Sequence, residues 1–294
     1  NPANPILTHF SMKMQNSEIQ GLGHADLVQA VDGSWWMICL GYRTSGYLQH
    51  VLGRETFLAP VRWDEGAWPV VNKDGTLQTD MRCETLPIVP MPKEPVLDDF
   101  IGEKLNLYWS HLNIPDSANY SLKERKGHLR LRPSRVTIDE KSNPTFIGRR
   151  QTERNFTATT LLDVSHLGKN SQAGITAYAA RQNHYDVIVD CDADGNKTVQ
   201  AVVRIGQSRN VMATIPLKQN KVFLRIDSNT EFYNLSYSLD NKTFHHLAKM
   251  EYRYLSTETI GGFCGVHLGL YTQSLAEKPS GFVDVDWFRY ETND

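Results

Sequence analysis

Two short segments near the start of the sequence carry side chains suited to binding a small polar ligand. The first reads Gly23-His24-Ala25-Asp26, in which a histidine follows a glycine and precedes an apolar run. A histidine at the mouth of a strand can hold a metal ion or a ligand through its ring nitrogens. The alternative is a hydrogen-bonded structural histidine, because no second histidine or carboxylate stands at metal-ligand spacing.

The second segment reads Leu52-Gly53-Arg54-Glu55. Arginine presents a planar fork of N–H donors that matches carboxylates and neighbouring hydroxyl groups. The glycine in front of it allows a close backbone turn. The pattern indicates Arg54 as a candidate ligand-binding side chain. The alternative is an ion pair of Arg54 with Glu55 or with an adjacent strand.

Acidic residues form a third candidate, at the two ends of the second half of the chain. Asp98-Asp99 stands at its beginning and Asp284-Val285-Asp286 near its end. Terminal strands of a sandwich often pair, and pairing would bring these carboxylates together. Because calcium prefers hard oxygen ligands, we expect a structural calcium with Asp99 and Asp286 among its ligands. The alternative is a set of exposed acids at strand ends.

A glycine-rich run, Ile260-Gly261-Gly262-Phe263-Cys264-Gly265, is the fourth candidate. Glycines adopt backbone conformations that a projecting loop needs, so the run predicts a loop that carries the ring of Phe263 to a surface. The alternative is a core phenylalanine beside a β-bulge.

The elements that position these residues are strands. Period-two alternation recurs along most of the chain, with turn signals at intervals of about ten residues, which favours antiparallel sheets. Residues 85–98 contain four of the thirteen prolines and predict a stiff extended connector. We therefore expect a first domain at 1–86, a linker at 87–97 and a β-sandwich at 98–294. The first segment suits one or two propeller blades better than a complete domain.

The composition excludes several classes of protein. The formal net charge is −2, whereas a phosphate-binding surface needs a basic excess, so nucleic acid is not the expected partner. No apolar run approaches the roughly 20 residues of a membrane helix. The four cysteines form no CxxC pair, and Cys39 and Cys191 are predicted to be buried thiols. Local signatures of serine hydrolases, zinc proteases and nucleotide-binding loops are absent from the sequence, but paired catalytic carboxylates leave no such signature.

Several segments, in the right order, resemble glycoside hydrolase family 43, and in particular its two-domain β-xylosidases and α-L-arabinofuranosidases. In the first part these are residues 23–28 (GHADLV), 35–43 (WWMICLGYR), 52–61 (LGRETFLAPV) and 68–72 (WPVVN). In the second part, residues 120–122 (YSL), 127–131 (GHLRL), 146–151 (FIGRRQ), 254–258 (YLSTE) and 261–263 (GGF) resemble the C-terminal concanavalin-like sandwich of the family.

The resemblance implies an all-β protein, namely the last part of a five-bladed β-propeller followed by an antiparallel sandwich. It implies that His24 holds a calcium ion or a water near the propeller axis, that Arg54 contacts the sugar and that Phe263 closes the pocket. The catalytic carboxylates of the family lie on earlier blades, and we find no counterparts here; Asp26 is not a substitute. The implied reaction is the exo-acting, inverting release of terminal arabinofuranose or xylose from hemicellulose.

Two hypotheses follow. In the first, which we favour, the chain is the C-terminal portion of such an enzyme, and an N-terminal fragment of the same enzyme completes the active site. In the second, it is a non-catalytic carbohydrate-binding or structural module. Half a propeller would expose sheet edges and core, which weighs against the isolated form. A periplasmic or extracellular location is expected.

Overall fold

A computed structural model describes residues 1–292 except 3, 11–13, 15–16, 46–47 and 84. The chain divides into two compact units, Asn1–Glu94 (unit 1) and Pro95–Asp294 (unit 2). The division falls inside the linker predicted at 87–97. Within the described ranges, no helix is both long and apolar enough to cross a membrane.

Unit 1 contains one antiparallel sheet of four strands, in the order β1-β2-β3-β4. Each strand pairs with the next along the chain, as in the blade of a propeller. Four strands are described in this part of the sequence. They are β1 (Ile19–Gln29), β2 (Trp35–Arg43), β3 (Glu55–Arg62) and β4 (Val70–Val71).

The two faces of this sheet are covered to different extents. One face packs into a buried cluster formed by Ile19, Met37, Cys39, Ala59, Val61, Val71 and Leu77. On the other face, Val28, Ile38 and Leu58 are 44%, 42% and 50% exposed, and Ile38 pairs directly with Leu58. Large apolar side chains on an uncovered sheet face mark a surface that another element is suited to cover.

Unit 2 is a sandwich of two antiparallel sheets, with fifteen of the nineteen strands in the described chain. The eight-stranded sheet has the order β17-β16-β15-β10-β19-β8-β7, with β5 also paired to β19, and the seven-stranded sheet has the order β14-β13-β12-β11-β18-β9-β6. The strands are β5 (Leu97–Asp98), β6 (Trp109–Ser110), β7 (Tyr120–Ser121), β8 (Leu129–Leu131), β9 (Thr145–Arg150), β10 (Phe156–Asp163), β11 (Ser171–Ala180), β12 (Asn183–Cys191), β13 (Lys197–Ile205), β14 (Ser208–Pro216), β15 (Lys221–Ser228), β16 (Phe232–Ser238), β17 (His245–Glu251), β18 (His267–Ser274) and β19 (Val283–Thr292).

The core of the sandwich lies between the two sheets. Alternate residues of each strand point inward, because successive side chains of a strand lie on opposite faces. On β15, for example, Val222, Leu224 and Ile226 are fully buried, while the residues between them face outward. Helical structure among the described residues is confined to short turns, Ser117–Asn119, Tyr252–Leu255 and α1 (Thr257–Ile260).

Candidate functional site

The connection between β2 and β3 presents Arg54 at the edge of the sheet in unit 1. Val51 and Leu52 are buried and anchor the end of this loop. Gly53 has a φ of +70°, a left-handed conformation that favours glycine. Arg54 follows with an exposed side chain at the start of β3. The buried side chains of Val51 and Leu52 therefore fix the loop, and the side chain of Arg54 faces outward.

An ion pair joins the two ends of this loop. The carboxylate of Glu55 accepts hydrogen bonds from the backbone N–H of Arg43 at 3.2 Å and from its Nη2 at 2.9 Å, and Nε also donates to it. Glu55 thus pairs across the strands with Arg43, a partner that the sequence analysis did not consider. The hairpin register, in which Glu55 lies opposite Gly41, could have revealed this partner from the sequence.

Aromatic stacking supports the same loop. The rings of Tyr42 and His50 stack with centroids 3.9 Å apart and an interplanar angle of 12°. Tyr42 lies directly over the backbone of Gly21, where a Cβ atom would come within 1.9 Å of the ring. Gly21 is therefore required for this close approach, which brings β1, β2 and the loop together.

His24 lies on β1 next to an irregularity in the pairing with β2. The register shifts on both sides of Gly23, and His24 has a φ of +48°, which is uncommon for a residue with a Cβ atom. Its side chain is exposed, as is that of Asp26. Gly23 pairs with Leu40, which in turn pairs with Thr56, so His24 and Arg54 emerge near the same end of the sheet, two strands apart.

Phe263 projects from a loop of unit 2, as the glycine run predicts. Gly261 and Gly262 have φ values of +75° and +78°, and a Cβ at either position would meet open space. Their glycine requirement is therefore conformational and not a matter of packing. The ring of Phe263 is 66% exposed, which excludes the alternative of a core phenylalanine.

The acidic residues at the two ends of the sandwich do come near each other, because β5 pairs with β19. Their inward-facing members are bound by protein donors. Asp98 accepts hydrogen bonds from Trp109 Nε1 and Tyr108 Oη at 2.8 Å, and from Asn106 Nδ2 at 2.9 Å. Burial alone would raise the pKa of Asp98, but these hydrogen bonds outweigh it and lower the pKa.

Asp284 is also bound by protein donors, in this case the guanidinium groups of two arginines. Arg130 binds it through Nε at 2.7 Å, and Arg125 through Nη1 at 3.1 Å. Burial of Asp284 would raise its pKa, but the two arginines lower it. A carboxylate already balanced by two cations is a poor ligand for a third.

Asp99 and Asp286 each have their own contacts within the protein. Asp99 accepts a hydrogen bond from the backbone of Ile101, and Asp286 lies 3.8 Å from His128 Nε2. No described contact joins the two aspartates, and the described residues contain no cluster of three His, Cys, Asp or Glu side chains able to hold a metal. These contacts give no support to calcium at Asp99 and Asp286, which stays a prediction, as does the separate one of an ion or water at His24.

A buried ion cluster in unit 2 escaped the sequence analysis. His184 on β12 is almost fully buried, with Nδ1 2.9 Å from both carboxylate oxygens of Asp186 and Nε2 2.7 Å from Asp139 Oδ1. Asp139 lies in the strap, which we define as residues 132–144 between β8 and β9. The His-x-Asp spacing on one strand places His184 and Asp186 on the same face and was the available signal.

The charges of this cluster follow from its geometry. Burial disfavours the charged imidazole, but the carboxylates on both sides outweigh burial and raise the pKa of His184 to about 9. The strap is held further by Ile138, which is buried and donates its N–H to Gln273 Oε1 at 3.1 Å. The cluster thus fixes the strap to the seven-stranded sheet.

Comparisons with known proteins cover both units. Residues 97–291 match the family described as the beta xylosidase C-terminal concanavalin A-like domain, and residues 1–69 match glycosyl hydrolases family 43. A non-reducing end alpha-L-arabinofuranosidase of Bacteroides ovatus is 36% identical over 301 residues, covering 100% of this chain. A xylosidase/arabinosidase of Butyrivibrio fibrisolvens is 29% identical over 295 residues, covering 99% of this chain.

A solved structure titled Bacteroides ovatus Xyloglucan PUL GH43B matches with a TM-score of 0.92 and 34% sequence identity, over 99% of this chain. In each comparison the chain is shorter than its relative. It spans 55% and 56% of the two curated relatives and 57% of the solved chain.

Proposed function

Because the chain belongs to glycoside hydrolase family 43, with the last part of a β-propeller followed by a concanavalin-like sandwich, we propose that it is the C-terminal portion of an exo-acting, inverting glycoside hydrolase. The enzyme releases terminal arabinofuranose or xylose from plant hemicellulose. An N-terminal fragment of the same enzyme supplies the catalytic carboxylates, and the present chain supplies contacts to the substrate.

The uncovered apolar face of the unit 1 sheet is the observation that carries this proposal. A propeller blade covers both of its faces with neighbouring blades, whereas Val28, Ile38 and Leu58 remain exposed on this sheet. The relatives are nearly twice as long as this chain, which leaves room in such a protein for further blades. A preceding blade packed on this face would bury these side chains.

Arg54 and Phe263 are the proposed substrate-binding residues. The fork of Arg54 donates to sugar hydroxyl groups, and its fixed loop holds the donors in place before the sugar arrives. The exposed ring of Phe263 packs on the apolar CH face of a pentose. His24, near the same end of the sheet as Arg54, binds an ordered water or an ion at the propeller centre.

Of the two pentoses, we propose arabinofuranose as the main substrate and xylose as the second. The relative with 36% identity is named an arabinofuranosidase, and the one with 29% identity is named for both activities. In an inverting mechanism one carboxylic acid protonates the leaving oxygen while a carboxylate activates water, and the two groups stand about 6.5–9.5 Å apart. The residues of this chain hold and orient the sugar for that attack.

The test is a complementation assay on aryl arabinofuranoside and aryl xyloside. We expect no turnover by the chain alone and turnover after assembly with the N-terminal fragment, with the arabinofuranoside hydrolysed faster. Equal turnover by the chain alone would place the carboxylates within it and overturn the proposal. An assembled protein that binds pentosides without hydrolysing them would favour the non-catalytic carbohydrate-binding module instead.

A further inference from the structure

The outward-facing side of the eight-stranded sheet in unit 2 carries a continuous strip of aromatic and guanidinium groups. Trp287 on β19 and Phe223 on β15 both pair with Leu161 of β10, the strand between them. The centroids of their two rings lie 6.0 Å apart. Arg225 follows Phe223 on the same face of β15. The guanidinium of Arg225 stacks on Phe244, with its carbon 3.4 Å from the ring centroid.

Arg225 is held in place by two independent contacts. Its Nε donates to Thr159 Oγ1 at 3.0 Å, while Phe244 fixes the plane of the group. Within the described part of the chain, no hydrogen bond occupies its two terminal nitrogens. Burial lowers the pKa of Arg225, and the charges of Asp227 and Glu291 raise it only in part. The side chain is therefore a preoriented, partly desolvated fork of donors.

The charges around this fork nearly balance. On β16, Ser238 lies opposite Phe223 and Ser236 lies opposite Arg225. Both serines have short side chains, so the neighbouring strand places no large group beside the ring and the guanidinium. Two arginines, Arg225 and Arg289, share the region with two acids, Asp227 and Glu291. Asp227 is already bound by Asn234, and Glu291 by Arg289.

These features match a neutral sugar ring. Donors in a planar pair fit two neighbouring hydroxyl groups, and the partly exposed indole of Trp287 fits the apolar face of a pyranose. The balance of charges gives no selection for a carboxylate. We propose that the strip formed by Trp287, Phe223, Arg225 and Phe244 is a saccharide-binding site that takes a pyranose unit of a hemicellulose chain, apart from the site that holds the terminal sugar. The choice of hemicellulose rests on the proposed function, whereas the sugar chemistry of the site does not.

The test is a titration of the 294-residue chain with xylohexaose, with cellohexaose as a second probe, followed by calorimetry and by the indole N–H signal of Trp287 in NMR spectra. Arg225→Met keeps the aliphatic stem and removes the fork, and Trp287→Leu removes the platform. We expect each to weaken xylohexaose binding about tenfold, the effect of losing a charged hydrogen bond or a ring contact. The matched control is Arg253→Gln, at an exposed arginine of unit 2 that pairs with Glu251 outside the strip, and it should bind as the unchanged chain does.

The proposal is overturned if neither xylohexaose nor cellohexaose binds or shifts the indole signal, or if Arg225→Met and Trp287→Leu both leave binding intact. Binding of cellohexaose alone would keep the sugar site and reject the hemicellulose ligand. Hydrolysis of a small aryl pentoside by the assembled enzyme does not need this surface, so Arg225→Met should leave its kcat/KM unchanged. Aryl pentoside hydrolysis therefore tests the proposed function, and xylohexaose binding tests this site.

Discussion

The sheet of unit 1 and the sandwich of unit 2 are built from strands with the same alternation of apolar and polar residues, yet they reach different degrees of closure. In the sandwich, each sheet covers the apolar face of the other, and residues such as Phe156 and Leu224 are fully buried. In unit 1, one face of the sheet is covered by its own segments and the other is not. The comparison shows that a strand pattern determines which face is apolar but not what covers that face.

The largest expected effect contrasts the two regions directly. Phe156→Ala should lower the free energy of unfolding of the sandwich by about 3–5 kcal/mol, since it leaves a cavity in a closed core. Ile38→Ala, on the open face of unit 1, should cost less than about 1 kcal/mol in the chain alone. Urea unfolding of both variants measures this. Ile38→Ala should become costly after assembly with the N-terminal fragment, and a large cost in the isolated chain would contradict the open face.

The second effect concerns the buried charge of His184 in the sandwich. The folded pKa of His184 is raised to about 9, above the unfolded value, so its stabilising contribution is complete below about pH 6.5 and is lost as the pH rises through about 9. On the order of 3 kcal/mol should be lost over this window. Asp186 and Asp139 are the charged groups that raise the pKa of His184, and Arg204 and Arg209 in turn lower the pKa of Asp139.

The measurement for this effect is the thermal unfolding of unit 2 between pH 6 and pH 10, compared with His184→Gln. The variant should be less stable at neutral pH and should have a flatter profile, because it no longer titrates in this range. Equal slopes for the two proteins would show that the imidazolium is not responsible.

The third effect tests whether unit 1 serves binding more than stability. Arg54→Ala in the assembled enzyme should reduce kcat/KM by roughly 30- to 150-fold, the equivalent of about 2–3 kcal/mol for a lost charged hydrogen bond. The melting temperature should change little, because the side chain is exposed. Arg62→Ala is the matched control, since Arg62 is likewise an exposed arginine, at the other end of β3, and pairs with Asp64. A collapse in stability with normal activity per folded molecule would make Arg54 structural.

The smallest effect on stability is expected at Phe263. Phe263→Ala should change the free energy of unfolding by no more than about 0.5 kcal/mol, because the ring is exposed and its loop is shaped by the two preceding glycines. It should raise KM for an aryl arabinofuranoside in the assembled enzyme. Unchanged kinetics would remove Phe263 from the substrate-binding residues.

The strands were predictable from the sequence because alternation and turn residues are local signals. Trp35–Arg43 and Phe156–Asp163 occur where the pattern places them, and the buried thiols of Cys39 and Cys191 are confirmed. The projecting loop of Phe263 was equally readable, since glycine pairs indicate unusual backbone geometry.

Partners across the fold were harder to predict, because they depend on register and on long-range packing. Glu55 binds Arg43, twelve residues away, and Asp139 binds His184 from a strap that carries no periodic pattern. The acids at the sandwich ends illustrate the same limit. The sequence pattern placed Asp98 and Asp284 on paired terminal strands. It did not indicate that an indole N–H would bind Asp98 or that two guanidinium groups would bind Asp284.

The pairing of β5 with β19 has a mechanical consequence. The chain enters the sandwich at Leu97, opposite Arg289 near the end of its final strand, so entry and exit lie side by side on antiparallel neighbours. A pull between these two points loads the hydrogen bonds one after another, as in opening a zipper, and not together in shear. The sandwich would therefore yield to tension at low force, although its core is closed, and the same adjacency makes it a suitable candidate for circular permutation.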